Sequence, residues 1–386
     1  MSNLTTASNP IPSVVGDFAR FDRIAHEGAT LNVVFLGGSL TWGARATDPQ
    51  LTSYRALVGN RLRAFYPKSQ FWFWDAAIGG TGSQLAVFRL ERDVLSRKPD
   101  LVFLDFTIND GPFDPVTEDK LASYESLVRR ILLESGAPVV QVMFAVKQDM
   151  KAGGLPRFLD PFHRKISEAY GTGLGDAVAW MRGKVEAGAA DLDAMWPYHP
   201  DVTHPGDKGY ALYAETAWNA FQDSIRRCRV AHVPEKMLHP DTYMTWRRER
   251  LSQAGPLPKG WKVALPTPLG VAFDFYMSRW LYDVTVAEPG AAPYVIPFRG
   301  KVALLFGEAT PKSGKFLVRI DGQPAVRPGM PDGVYTGLSA GGPMFLLRVL
   351  ADDLDPSREH ILEIIPQLEH DGELRIESLC SAGWTA

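Results

Sequence analysis

Four short stretches of this sequence contain the residue types needed for acyl chemistry. In LNVVFLGGSLTWG, residues 31–43, an apolar run ends in two glycines and Ser39. Small residues at the end of a buried strand let backbone approach a ligand closely. A serine hydroxyl is a weak nucleophile, so it needs a base, and the base needs an acid to orient it. DVTHP, residues 201–205, supplies both. A residue before proline favours extended backbone, which leaves His204 outside the helix that follows. Asp201 precedes it by three residues on the same loop, within reach of the ring, where it fixes the tautomer and stabilises the imidazolium. The oxyanion of a tetrahedral intermediate also needs donors. The glycines of DAAIGGTGS leave backbone N–H groups approachable, and FTINDG offers the Asn109 amide.

Each stretch alone has a plainer reading, because Gly and Asn-Asp-Gly are common turn formers and an Asp-x-x-His pair is weak by itself. Phosphate binding fits the first turn poorly. GGSLTWG lacks the lysine followed by Ser or Thr of a P-loop and the three-glycine spacing of a dinucleotide fingerprint. It is not the G-x-S-x-G elbow either, since Thr41 stands where the last glycine belongs.

The surrounding pattern places these loops together. LNVVFL, FWFWDAA, DLVFLDF and PVVQVMFAV are nearly continuous apolar runs, as strands buried on both faces should be. Between them lie amphipathic segments such as SYRALVGNRLRAFY and TEDKLASYESLVRRILLES. A fifth strand is less distinct, within TGLGDAVAW, and a final helix is expected from about Pro205, a residue tolerated at a first helical position. Strands alternating with helices give an α/β, doubly wound, flavodoxin-like parallel sheet. Ligands bind at the edge where its strands end. Ser39 follows the first strand, Gly79 and Gly80 the second and Asn109 the third, while His204 precedes the last helix.

Composition sets the outer limits. At 386 residues two domains are expected, and 45% hydrophobic with 22% charged residues is ordinary for a globular protein. A formal charge of -3 gives no broad basic field for nucleic acid, and no run approaches transmembrane length. Cys228 and Cys380 suggest neither a disulfide framework nor a zinc cluster. The first residues lack a basic start with an apolar core, so the expected location is cytoplasmic, or periplasmic or secreted if a leader precedes the mature chain. The divisions expected are a catalytic domain over 25–226, a connecting segment with room for one helix over 227–260, and an all-β, jelly-roll-like sandwich over 261–386. In the last part KVALLFGE, GKFLVRIDG, MFLLRVLA, HILEIIP and ELRIESLC are short runs separated by Gly, Pro and Asp turns.

Together and in this order, GGSLTWG, AAIGGTG, TINDG and DVTH resemble the blocks of the SGNH, or GDSL, hydrolases, over about half the chain. The resemblance implies Ser39 as nucleophile, His204 and Asp201 as base and partner, and the N–H groups of Ser39 and Gly80 with the Asn109 amide as oxyanion hole. It implies acyl transfer to water with no metal or organic cofactor. Gly38 departs from the family's motif, which has Asp there, and TIND lacks the glycine that often precedes the asparagine. Glycine-glycine-serine variants are similar to bacterial carbohydrate-active esterases. The expected activity is therefore release of small acyl groups, above all acetyl, from a carbohydrate. A lipase or thioesterase for longer chains and a catalytically silent carbohydrate-binding protein are the alternatives. Trp42, Gly79 and Phe113 are candidate substrate contacts, with Trp42 equally suited to packing the first helix. Arg89 and Glu91 read as an exposed helix face with ion pairs, and His163 and His199 as structural or surface residues. Asp105, in a buried-looking strand, needs a partner. Trp261, Tyr276, Trp280 and Tyr282 suit sandwich packing better than a sugar-stacking platform.

Overall fold

The computed structural model of the protein describes residues 15–151, 154–268 and 279–385. The chain separates into two compact units that meet in sequence at Pro240 and Asp241. In the first, the strands are β1 (Val15–Asp17), β2 (Thr30–Gly37), β3 (Gln70–Ala77), β4 (Leu101–Leu104), β5 (Val139–Met143), β6 (Gly173–Asp176) and β7 (Val230–Ala231). The helices are α1 (Phe18–Glu27), α2 (Ser39–Trp42), α3 (Tyr54–Phe65), α4 (Ser83–Asp93), α5 (Glu118–Ser135), α6 (Asp160–Tyr170), α7 (Ala177–Glu186), α8 (Leu192–Met195) and α9 (Asp207–Arg226). Five strands form one parallel sheet in the order β3-β2-β4-β5-β6, so their C-terminal ends share one edge. The short β1 pairs with β7 in a separate antiparallel ribbon. No helix among the described residues is long and apolar enough to cross a membrane.

The central strands β4 and β5 are buried throughout, as their unbroken apolar runs require. Phe35 of β2 stacks on Phe103 of β4, ring centroids 5.0 Å apart, and meets Tyr54 of α3 edge-on. FWFWDAA departs from expectation. It forms β3 at the edge of the sheet, where only Ala76 and Ala77 are buried and Trp72 is 60% exposed. Cationic side chains cover part of this apolar edge, Arg63 over the Phe73 ring and Arg97 over Trp74. The faint fifth strand is β6, whose sequence is glycine-rich because α9 packs tightly on it. A Cβ on Gly173 would come within 2.8 Å of Ser224 Oγ, and one on Gly175 within 3.1 Å of the Thr216 carbonyl. Helix α9 begins at Asp207, two residues later than expected, with Gly206 extended before it. An added Cβ on Gly209 would overlap the Pro205 ring, so the proline packs on the first turn instead of entering it.

In the second unit the strands are β8 (Trp246–Arg250), β9 (Trp261–Ala264), β10 (Val284–Ala287), β11 (Tyr294–Arg299), β12 (Val302–Ala309), β13 (Lys315–Ile320), β14 (Gln323–Pro324), β15 (Val334–Thr336), β16 (Met344–Ala351), β17 (Glu359–Gln367) and β18 (Leu374–Ala382). One sheet runs β16-β12-β18-β10-β9 with β8 also on β18, and the other runs β11-β17-β13-β14 with β15 also on β13. The pairings between these strands are antiparallel. Inward side chains such as Leu305, Phe316, Leu346, Ile364 and Ile376 form the apolar core. The stretch expected to hold one helix instead holds β7, β8 and two 3-10 turns, at Thr242–Met244 and Leu251–Gln253. Trp261 and Trp280 are buried, Trp261 donating from Nε1 to the Ala292 carbonyl at 2.7 Å. Tyr282 is exposed and carries the Arg250 guanidinium over its ring, while Tyr276 lies outside the described residues.

Arg89 is a correction with consequences for the sheet edge. It is 1% exposed, whereas Glu91 does face solvent. Its Nη1 donates to the Ala76 carbonyl at 2.6 Å and pairs with Asp93, and its Nη2 donates to the Gly37 carbonyl at 3.2 Å. One guanidinium thus clamps the last residues of β2 and β3, the strands that deliver Ser39 and Gly80. The fork geometry of arginine suits two such acceptors, where a lysine would present only a point charge. Arg89→Ala should lower the free energy of unfolding by about 2–4 kcal/mol, because it leaves buried carbonyls and a carboxylate without this donor. Urea unfolding followed by circular dichroism checks this, and a loss below about 1 kcal/mol would place the residue among unimportant surface groups.

Candidate active site

Residues 37–39 show how the chain builds a nucleophile turn. β2 ends at Gly37, Gly38 is extended, and Ser39 opens the single-turn helix α2, leaving its N–H without an intrahelical acceptor. Gly37 has no room for a side chain, since an added Cβ would overlap Thr41 Oγ1 and approach the Asp105 carbonyl to 2.7 Å. Gly38 has a φ of -103°, accessible to any residue, so its requirement is for space. An added Cβ there would overlap Asn109 Oδ1. The departure from Gly-Asp-Ser to Gly-Gly-Ser therefore accompanies an Asn109 side chain that lies directly against residue 38.

Ser39, 5% exposed, meets the loop between α8 and α9. Its Oγ is 2.8 Å from His204 Nε2. On the other side of the ring, His204 Nδ1 lies 3.0 Å from Asp201 Oδ2 and 3.2 Å from Oδ1. Asp201 Oδ1 also accepts from the backbone N–H groups of Thr203 and His204, at 3.1 and 3.0 Å, which folds the loop so that carboxylate and ring face each other. Partial burial pushes the Asp201 pKa up, but the His204 hydrogen bonds, the His204 charge and the Arg45 bond outweigh it and hold the acid below 3.8. Burial pushes the His204 pKa down, and although Asp201 works in the opposite direction, Arg45 adds to the lowering and the ring stays below 6.5.

Two residues missed in the sequence hold this loop in place. Arg45 has a φ of +70°, uncommon for a residue with a side chain, and its Nε donates to Asp201 Oδ2 at 3.1 Å. Its guanidinium lies 5.6 Å from the Tyr198 ring centroid. Asp207, in the first turn of α9, accepts from Thr47 N at 2.9 Å, Thr47 Oγ1 at 2.6 Å and Thr52 Oγ1 at 2.8 Å. The segment after the nucleophile is thereby fastened to the segment after the histidine. Nothing local in the sequence marks Arg45. Asp207 carried only the general signal of an acid in a first helical turn.

The remaining expected residues lie on the loops after β3 and β4. The Ile78 N–H donates to the Gly37 carbonyl at 3.0 Å, so the chain enters its glycine loop beside the nucleophile turn. Gly79 is buried, whereas Gly80 is exposed with a left-handed φ of +75°, a conformation that favours glycine. Asn109 is half-buried. Asp105 finds its partner two residues on, with Oδ1 accepting from Thr107 N at 3.0 Å and Thr107 Oγ1 at 2.8 Å. Burial nevertheless raises its pKa to about 7. Trp42 is 8% exposed, its carbonyl accepting from Arg55, and Phe113 is half-buried with the Arg157 guanidinium 5.8 Å from its ring centroid. His163 is buried and stacked on Tyr124, and His199 is exposed.

Residues 35–212 match the model of the GDSL-like Lipase/Acylhydrolase family. No curated protein matches the chain by sequence. Its fold is similar to that of a two-domain esterase active on acetylated mannans. The form co-crystallised with mannopentaose is 21% identical with a TM-score of 0.75, over 97% of both chains. A second structure of such an esterase is 20% identical with a TM-score of 0.70, over 98% of this chain and 99% of that one. The acetylxylan esterase Axe2 from Geobacillus stearothermophilus is 23% identical with a TM-score of 0.41, over 50% of this chain and 95% of its own. Residues 35–212, with their parallel sheet and glycine-glycine-serine turn, thus match the GDSL-like lipase/acylhydrolase family, and the protein is an esterase.

Proposed function

We propose that this esterase removes acetyl groups from carbohydrate through an acyl-enzyme on Ser39. The observation that carries the reading is the continuous hydrogen-bonded line from Ser39 Oγ through His204 to Asp201. As Ser39 Oγ attacks the ester carbonyl, its proton passes to His204 Nε2, and Asp201 stabilises the resulting imidazolium. The oxyanion is held by the N–H groups of Ser39 and Gly80 and the Asn109 amide. Collapse breaks the bond to the sugar oxygen, which takes the proton from His204. Water then repeats the sequence on the acyl-serine, releasing acetate. The carbohydrate assignment draws support from the two-domain fold shared with an esterase active on acetylated mannans.

Acetate release from acetylated manno- and xylo-oligosaccharides tests the assignment. Ser39→Ala and His204→Ala, still folded, should each lose at least about 10⁴-fold in kcat. A preference for p-nitrophenyl acetate with steep loss beyond butyrate is expected, and a preference for octanoate or longer would favour a lipase or thioesterase.

His204 must be neutral to accept the serine proton, so kcat/KM should rise with pH through a midpoint below 6.5. Arg45→Gln removes a positive charge that lowers the His204 pKa, and should move that midpoint to higher pH. A pH–rate profile with an unmoved midpoint would exclude Arg45 from tuning the base.

A further inference from the structure

Asp110 follows Asn109 directly, yet its side chain serves another loop. Its carboxylate is buried, 5% exposed, and Oδ1 accepts from the Ser83 N–H at 2.8 Å. Ser83 is the first residue of α4, immediately after the loop holding Gly79 and Gly80. The residue in the capping position is Gly82, which has no side chain to cap with, and an added Cβ there would overlap Asp110 Oδ1. The chain has thus exchanged the usual local cap, a Ser, Thr, Asp or Asn at that position, for a carboxylate from the neighbouring loop. A local cap would accept from the second or third helical N–H instead of from Ser83, and it would not join the two loops.

At its other end Asp110 is tied into the turn that presents Asn109. Its own N–H donates to the Phe106 carbonyl at 2.9 Å, and the Gly111 N–H donates to the Ile108 carbonyl at 3.1 Å. Ser83 Oγ continues the link, lying 2.7 Å from Ser123 Oγ on α5. Burial works against the charged carboxylate and raises its pKa to about 7, while the Ser83 N–H and hydroxyl pull the other way. That burial is a cost which a solvent-facing cap would avoid.

We infer that Asp110 is a positioning residue that registers the Gly80 N–H and the Asn109 amide on each other, so that two loops present a single oxyanion hole. The inference rests on the acyl-enzyme reading above. It is carried by the Asp110–Ser83 bond and by the glycine that makes room for it.

The full chain carrying Asp110→Ala or Asp110→Asn tests it, with kcat and KM on p-nitrophenyl acetate, thermal melting, and inhibition by phenylboronic acid, which adds to a serine hydroxyl as a tetrahedral anion. Asp110→Ala should lose about tenfold or more in kcat with KM within about twofold, because loosened donors act mainly in the transition state. Boronate affinity should fall in parallel. Asp110→Asn keeps an acceptor oxygen and should recover to within about threefold of the parent. If Asp110→Ala does not fold, Gly82→Ala, whose methyl displaces the carboxylate, should give the same pattern. Unchanged kcat in a folded Asp110→Ala protein, or a kcat loss with boronate affinity intact, would overturn the inference while leaving the acyl-enzyme reading standing. Full turnover by Ser39→Ala would overturn that reading, and the role of Asp110 with it.

Discussion

The hydrogen bond between Ser39 Oγ and His204 Nε2, 2.8 Å long, joins residues 165 positions apart, and much of the first unit can be understood as what holds its ends in register. Ser39 sits where β2 stops, so its position is set by a strand paired on both sides within the parallel sheet. His204 sits on an irregular loop without strand or helix of its own, and is held by contacts from several directions. The Lys147 N–H, in the 3-10 turn that follows β5, bonds the Val202 carbonyl, the Gly206 N–H bonds the Met195 carbonyl, and the Tyr210 hydroxyl bonds the Ala44 carbonyl. Arg45 and Asp207 add cross-links between the segments that follow each partner. A nucleophile fixed by a sheet and a base fixed by a web of loop contacts can meet without either loop being regular.

Charged groups buried near the sheet edge do the remaining positioning. Burying charge is costly unless hydrogen bonds compensate, so groups such as Arg89 and Asp110 persist where their bonds fix backbone that apolar packing would leave loose. Arg89 closes the ends of β2 and β3 upon each other, and Asp110 joins the following turn to α4. Asp105 binds Thr107, whose hydroxyl in turn accepts from the Phe144 N–H just past β5. Glycines at 37, 38 and 82 leave the space in which these side chains and carbonyls approach. The small residues and the buried polar residues are two halves of one arrangement.

What could be read from the sequence, and what could not, follows the range of the interactions. Apolar runs announced β2, β4 and β5, and the loops carrying Ser39, Asn109 and His204 were visible as motifs because each is local. The same rule failed for β3, where an apolar run turned out to be a sheet edge shielded by arginines, and nearly failed for β6, where glycines replace the apolar signal to admit α9. Arg89 in FRLERD looked like one more charge on a helix face, since its acceptors are backbone carbonyls 13 and 52 residues away. Arg45, Asp207 and the bond from Asp110 to Ser83 are equally long-range, and no spacing rule within a window of a few residues could reveal them. β8 escaped notice because WRRER lacks an apolar alternation and takes its place by pairing with β18.

The proposed mechanism passes through a covalent intermediate, an acyl group esterified to Ser39, which p-nitrophenyl acetate leaves as an acetyl group. Rapid acid quench of the protein during turnover of p-nitrophenyl acetate, followed by peptide mass mapping, detects it directly. One acetyl group on the peptide containing Ser39, absent from the Ser39→Ala protein, is the predicted result. Sustained turnover with acetyl found on another residue, or unaffected by the loss of the serine hydroxyl, would contradict it.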